Sequence, residues 1–389
     1  MKALIIGEIR KIFSQKFVLT MFGILLLVNI FNAHSTVVDS SDYWVLKNAY
    51  EKMYALAQGE ITEESVSRIV SYRDKLENSI ETGEKMDTFL ANAGTDLLHV
   101  NNIIQELTDI YNYNSKITSI KENIKLQREV LSSRDNPYLE RVNDKIDSTY
   151  SQRKITHFYN SKGFASYFDY DFSSFLILLI VILACSSVFA GEKENGMNTL
   201  ILGTVNGRAK LSLSKKLSCV FFIVAVSLIF FISDYVVFYF TTGMRGLSLP
   251  LYALSGYEYT PLTLSIGAFA VLTVLIKIIG FIYIGMMVCV FSSVINKSYA
   301  VFGTGLIGSF ILMFISSYSN DQTAFLNLIN PINLLTNRNM FKTFSTINLF
   351  DFPLNKYAVT LVFSLTAMFA VSIIITVLNS KGQKGRVKK

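Results

Sequence analysis

The stretch Phe172-Ser-Ser-Phe-Leu-Ile-Leu-Leu-Ile-Val-Ile-Leu-Ala-Cys-Ser-Ser-Val-Phe-Ala190 runs without a charge straight into Gly191-Glu-Lys-Glu-Asn-Gly-Met-Asn-Thr-Leu-Ile-Leu-Gly-Thr-Val-Asn-Gly-Arg-Ala-Lys-Leu-Ser-Leu-Ser-Lys215. An apolar run of about 20 residues crosses a hydrocarbon core about 30 Å thick. A second such run, Leu217–Thr241, follows the charged segment at once. Two membrane helices joined by a short polar connection are the simplest reading. Working outward, further runs occupy Phe17–His34, Leu262–Ser293, Tyr299–Tyr318 and Tyr357–Leu378. The fold class expected is an all-α integral membrane protein with six transmembrane helices and a helical extracellular domain inserted between the first two. Composition agrees, with 51% hydrophobic and 17% charged residues where a soluble domain carries about 25% charge.

The fourth run is long enough to be two helices, and charge decides the count. Lys2, Arg10, Lys11 and Lys16 precede the first span. Arg208, Lys210, Lys215 and Lys216 lie between the second and third, and Lys381, Lys384, Arg386, Lys388 and Lys389 follow the last. Basic residues near span ends stay on the cytoplasmic side. All three groups fall there only if the N-terminus is cytoplasmic and the spans number six. A cell-membrane, multi-pass protein with both termini inside is therefore expected, its last residues, 379–389, forming a basic tail. The N-terminal run is long for a signal-peptide core, and Phe31-Asn32-Ala33 lacks a small residue at the −3 position, so it reads as an uncleaved first span.

The net charge of +7 conceals a division: residues 36–171 hold 16 basic and 22 acidic side chains, a balance of −6, which leaves +13 for the rest. The positive charge belongs to membrane flanks, and no compact basic domain exists to bind nucleic acid. Residues 35–171 form a polar module with helical periodicity. Ile110, Tyr113, Ile117, Ile120, Ile124, Gln127 and Leu131 follow a heptad and predict a coiled-coil seam. A break at Ser132–Pro137 then starts a helix with Leu139, Val142 and Ile146 on one face. Val66, Ile69, Leu76 and Ile80 mark another helix after Thr62-Glu63-Glu64. His99 and His157 have no neighbouring cysteine, and Cys185, Cys219 and Cys289 all fall in or beside spans. Neither a metal site nor a disulfide framework is expected in the module.

In the connecting segment 191–216, Glu192, Glu194, Arg208 and Lys210 can pair with a partner, while Met197, Leu200, Ile201 and Leu202 offer an apolar face. Gly196, Gly203 and Gly207 bound a short helix. Glu192, Glu194, Gly196-Met197, Thr199-Leu200-Ile201-Leu202, Thr204, Gly207-Arg208 and Lys215-Lys216 resemble the connection between the second and third spans in permease subunits of ABC-2 type exporters. Val205-Asn206-Gly207 departs from that pattern, where many members have Pro and Ser before the Arg. Gly7-Glu8-Ile9-Arg10-Lys11-Ile12-Phe13, within residues 1–16, is similar to the family's amphipathic interface helix, with Ile5, Ile9 and Ile12 on one face. The resemblance covers the membrane region. It implies a permease paired with a second permease copy, identical or not, and driven by separate ABC ATPase subunits. Glu192, Glu194 and Arg208 are then ionic anchors for the ATPase, Met197 and Leu200 the inserted knob, and Glu8, Arg10 and Lys11 the polar face of the interface helix.

No Walker A sequence occurs in the chain, so it is not expected to be an enzyme or to carry a cofactor. Gly303-Thr304-Gly305-Leu306-Ile307-Gly308 matches a dinucleotide fingerprint but lies inside an apolar span, where close helix packing explains it. Asp234 and Lys277 are the charges well inside the runs and are functional suspects on cost alone. Their depths of about 10 and about 22 Å, at 1.5 Å per residue, argue against a direct pair. Tyr235, Phe238, Tyr239, Phe240, Tyr257, Tyr259, Tyr318 and Tyr357 predict an outer aromatic belt. Residues 319–356, with Asn330-Pro331 and Asp351-Phe352-Pro353, predict short helices dipping into the outer leaflet. The rival reading is a non-transporting scaffold or sensor that uses the outer coil for partner contact. An intramembrane enzyme lacks a second carboxylate, an intramembrane His and any Ser/His pattern.

Overall fold

The computed structural model describes residues 2–38, 43–84, 87–90, 92–131, 136–197, 209–318 and 324–381. Its elements are almost all helical. In chain order they are α1 Lys2–Phe13, α2 Lys16–Val37, α3 Tyr43–Ala57, α4 Glu63–Thr82, α5 Ala93–Leu131, α6 Pro137–Tyr150, α7 Lys162–Asp169, α8 Phe172–Glu194 and α9 Ala209–Thr242. Then come α10 Ile266–Val294, α11 Ser298–Ser317, three short helices (α12 Ala324–Ile329, α13 Ile332–Leu335 and α14 Arg338–Lys342) and α15 Lys356–Lys381. Two small antiparallel pairs join β1 Gly59–Glu60 to β2 His157–Phe158 and β3 Thr346–Leu349 to β4 Phe352–Asn355.

Among the described residues six helices are long and apolar enough to cross a membrane, and they match the six expected spans. The long fourth run is one helix, because α10 continues unbroken for 29 residues. The bundle has a clear centre. α8 buries 72% of its apolar window against 11% for α15, and α8 packs on α2, α9, α10 and α11. Its neighbours turn apolar stripes outward: Leu27 and Phe31 on α2, Phe310 and Phe314 on α11, Phe369 and Ile373 on α15. A helix clothed in apolar side chains on its outward face suits lipid, not water.

α9 starts earlier than the apolar run suggests, at Ala209, so Lys215 and Lys216 belong to a helix and are buried. The segment 191–216 is correspondingly shorter as a connection. α1 does not lie alone at a surface. It packs along α9, buries Glu8 and Ile12, and its Ile5 carbonyl accepts a hydrogen bond from Ser218 at 3.1 Å.

The polar module is a small bundle rather than a free coil. α4 opens with a capping box in which Thr62 and Ser65 bond each other's backbone and closes on Gly83 at φ 71°, where a side chain would be strained. Met53, Tyr54, Ile69, Leu76, Val100, Ile103 and Phe158 form its core. Within α5 the expected seam is buried at Tyr113, Ile117 and Ile124, but Gln127 is exposed, so the heptad is covered only where α6 and the bundle reach it. α6 begins at Pro137 with Asn136 as its cap. Its buried side carries Asn143 and Tyr150; of the expected face, Val142 and Ile146 are half-buried and Ile146 packs on the cluster around Tyr113 and Tyr150, while Leu139 is 42% exposed. Arg153 docks the module on the bundle's loops. Its guanidinium lies between the Tyr150 and Tyr252 rings, at 4.4 and 4.8 Å, and donates to the Leu262 carbonyl at 3.1 Å.

The short helices enter the bundle. Leu334 and Leu335 are buried and stand where a Cβ on Gly280, midway along α10, would be 3.0 and 2.8 Å from them. Only glycine leaves them room. The glycine motif at 303–308 is simpler than expected: Gly305 abuts Ile182 and Val288, whereas Gly303 and Gly308 meet nothing within 4 Å. Two residues of the expected aromatic belt, Phe238 and Tyr257, are buried at 0% and 2% exposure in an aromatic cluster with Phe168 and Phe269.

Candidate functional site

The charged groups of α1, α8 and α9 meet at one end of the bundle. Glu192, on the last turn of α8, accepts a hydrogen bond from Lys11 at 2.8 Å and another from Lys215. Lys11 also holds Glu8 at 2.9 Å. Lys215 is the buried member, with 2% side-chain exposure, and donates further to the Val188 carbonyl at 2.9 Å. A lysine this deep is tolerated because both a carboxylate and a carbonyl face it. Burial pulls the Lys11 pKa down, but the hydrogen bonds to Glu192 and Glu8 outweigh it and hold it above the ordinary value.

The same end of α8 is tied to its other neighbours. Ser292 of α10 accepts hydrogen bonds from the Phe189 and Ala190 amides at 3.1 and 2.9 Å and donates to the Ser186 carbonyl at 2.8 Å. A side chain inserted into a helix ladder is a recognised cause of local bending. Gln15, at the α1–α2 elbow, donates to Ser187 at 2.9 Å. Lys193 caps the Ser293 carbonyl near the α10 C-terminus, where a cation meets the negative end of the helix dipole. Lys216 reaches α15 through Ser372 and Thr376, at 3.2 and 2.9 Å. One layer thus joins α1, α8, α9, α10 and α15.

Sequence reasoning assigned these residues outward roles, and the structure distributes them differently. Glu192 is engaged within the chain. Glu194 is more open and pairs with Lys297 at 3.6 Å, while Met197 is 47% exposed and Arg10 is exposed. Glu8 faces inward beside Lys11. Leu200 and Arg208 lie outside the described residues. Lys215, Ser292 and Gln15 carry much of the geometry; a Lys-Lys pair and a serine next to a span end were visible, but not their targets.

A second polar group lies deeper. Asn29 of α2 donates to Asp234 of α9 at 2.5 Å, and Tyr170 donates to the Asn29 side chain at 3.1 Å. Lys277 pairs with Asp171, the N-terminal cap of α8, at 3.0 Å, and Arg338 reaches the same carboxylate at 3.5 Å. Asp234 and Lys277 form no ion pair among the described residues, yet both line one cavity of about 20 Å³ with Ser173, Tyr257, Thr273 and Asn337. That volume holds about one water. The depth estimate separated the two charges too far because α10 begins at Ile266 and not at Leu262.

A larger cavity, about 210 Å³, opens between the polar module and the loops of the bundle, lined by Glu106, Asp109, Tyr113, Phe158, Tyr252 and Glu258 among others. The thiols of Cys185, Cys219 and Cys289 converge in the bundle core and are the described group most able to hold a metal ion. Compared with known proteins, the chain matches no family model and no curated protein.

Proposed function

We propose that this chain is the permease subunit of an ATP-driven exporter of the ABC-2 type, working with a second permease copy and with separate ATPase subunits. The observation that carries this reading is the layer around Glu192. The segment joining α8 to α9 leaves from Glu194 and Met197, and within one turn of that exit Glu192 is bonded to α1 through Lys11 and to α9 through Lys215. A force applied to the connecting segment by an ATPase would move three helices together. In this reading both termini and the segment are cytoplasmic, the polar module is extracellular, and the path opens at the interface between the two permeases in the cell membrane. Coupling then demands contacts that differ between the ATP-bound and released states of the partner.

The test is to purify the tagged protein from its native membrane in mild detergent and identify what accompanies it, comparing wild type with Glu194→Ala/Met197→Ala. An ATPase subunit recovered with wild type and depleted at least tenfold in the variant supports the reading. Wild type without any ATPase overturns it.

A non-transporting sensor draws on a different observation, the cavity of about 210 Å³ beneath the polar module, walled by aromatic rings and by Asp109, Glu258 and Glu106, the last paired with Lys162 at 2.7 Å. Such a pocket suits a cationic ligand. In that reading, changes at Glu194 and Met197 leave activity intact.

A further inference from the structure

We propose that Cys185, Cys219 and Cys289 form a binding site for a soft monovalent metal ion, Cu(I), which ties the three central helices together. The proposal stands on the thiols themselves and not on the export reading. The three residues come from α8, α9 and α10, far apart in sequence, and their Sγ atoms all lie within 4.8 Å of one another. Cys219 and Cys289 are 3.8 Å apart. All three are free thiols with at most 1% exposure.

The spacing fits a trigonal ion. Three sulfurs around one centre at about 2.3 Å, the usual thiolate–metal distance, stand about 4.0 Å from each other. The thiols are close to that triangle already, so an ion in its plane requires small side-chain rotations and no new cavity. The donor set selects the metal. Zinc takes four ligands in structural sites, and among the described residues no His, Asp or Glu joins the three sulfurs. Three thiolates without oxygen or nitrogen suit a soft ion of low coordination number, which is Cu(I).

One neighbour supports the site. Gly285 holds the helices close: a Cβ there would stand 3.4 Å from Cys185 Sγ and 2.5 Å from Ile223 Cδ1. Binding of the ion displaces the thiol protons to solvent. No sulfur is open to solvent, so the ion enters during folding or through opening of the bundle.

The experiment isolates the intact chain from cells grown with added copper, under anaerobic conditions, and measures copper per chain after challenge with a Cu(I)-specific chelator. Wild type is expected to retain about one copper. Each of Cys185→Ser, Cys219→Ser and Cys289→Ser should lose it at least tenfold more readily, and the triple serine variant should retain none while eluting as a single species. Copper bound equally by wild type and the triple variant, or by neither, overturns the proposal. Should the serine variants fail to fold, X-ray absorption on wild type decides instead: three sulfurs around copper support the site, and oxygen or nitrogen ligands overturn it. Fewer than three free thiols per metal-stripped, denatured chain would also sink it, since a disulfide would then explain the contact.

Discussion

The two buried polar groups of this molecule solve the same problem in opposite ways. At the charged end, Glu192 meets two lysines and Lys215 meets a carboxylate and a carbonyl, so charge answers charge. Deeper, Asp234 is held by the neutral amide of Asn29, itself positioned by Tyr170, and a water-sized cavity separates that carboxylate from the nearest lysine system. The first arrangement resists loss of either partner, because each leaves an opposite charge stranded. The second can change its hydration without stranding a lysine. Shape is held at the charged end, and adjustable polarity lies within the bundle.

Removing the central carboxylate tests this contrast most severely. Glu192→Ala leaves Lys215 at 2% side-chain exposure without its counter-charge, at an expected cost of about 3–5 kcal/mol. Thermal unfolding in detergent should show it, and Glu192→Ala/Lys215→Met should recover much of the loss. If the double variant is no better than the single, the burden is not an unpaired charge.

The deeper group should give a smaller effect. Asn29→Leu takes away the donor that Asp234 uses, costing about 1–3 kcal/mol, and Asn29→Leu/Asp234→Leu should recover much of the loss, since replacing both partners by apolar groups strands neither. A double variant no better than the single would show that the asparagine matters for packing alone.

The rim of the charged layer should matter least. Lys11 is half exposed, so Lys11→Met should cost no more than about 1 kcal/mol. Its folded pKa is raised above the ordinary lysine value by the hydrogen bonds to Glu192 and Glu8. The stabilisation it provides is therefore complete below that value and fades as pH rises through the folded pKa. Unfolding followed from pH 9 upward should show wild type converging on Lys11→Met, and parallel curves would remove Lys11 from the layer.

Much of the fold was legible in the chain. The six apolar runs became six helices because span formation depends on local length and polarity, which a sequence states directly. Thr62 and Pro137 marked helix starts for equally local reasons, a side-chain cap and a ring that suits the first turn. Residues 198–208 of the segment after α8 lie outside the described residues, and the bonds of Glu192 to Lys11 and Lys215 could not be read from the sequence.

What only the tertiary structure decided is which helix faces meet. In water a buried face is the apolar one, yet in a membrane lipid and protein both accept apolar side chains, so hydrophobicity does not say which side of a span is inside. Nothing in the sequence therefore brought Cys185, Cys219 and Cys289 together, joined Asn29 to Asp234, or set Leu334 and Leu335 against Gly280. Those pairings follow from helix rotation and close approach at small residues, quantities that packing of the whole bundle determines and no single run of residues contains.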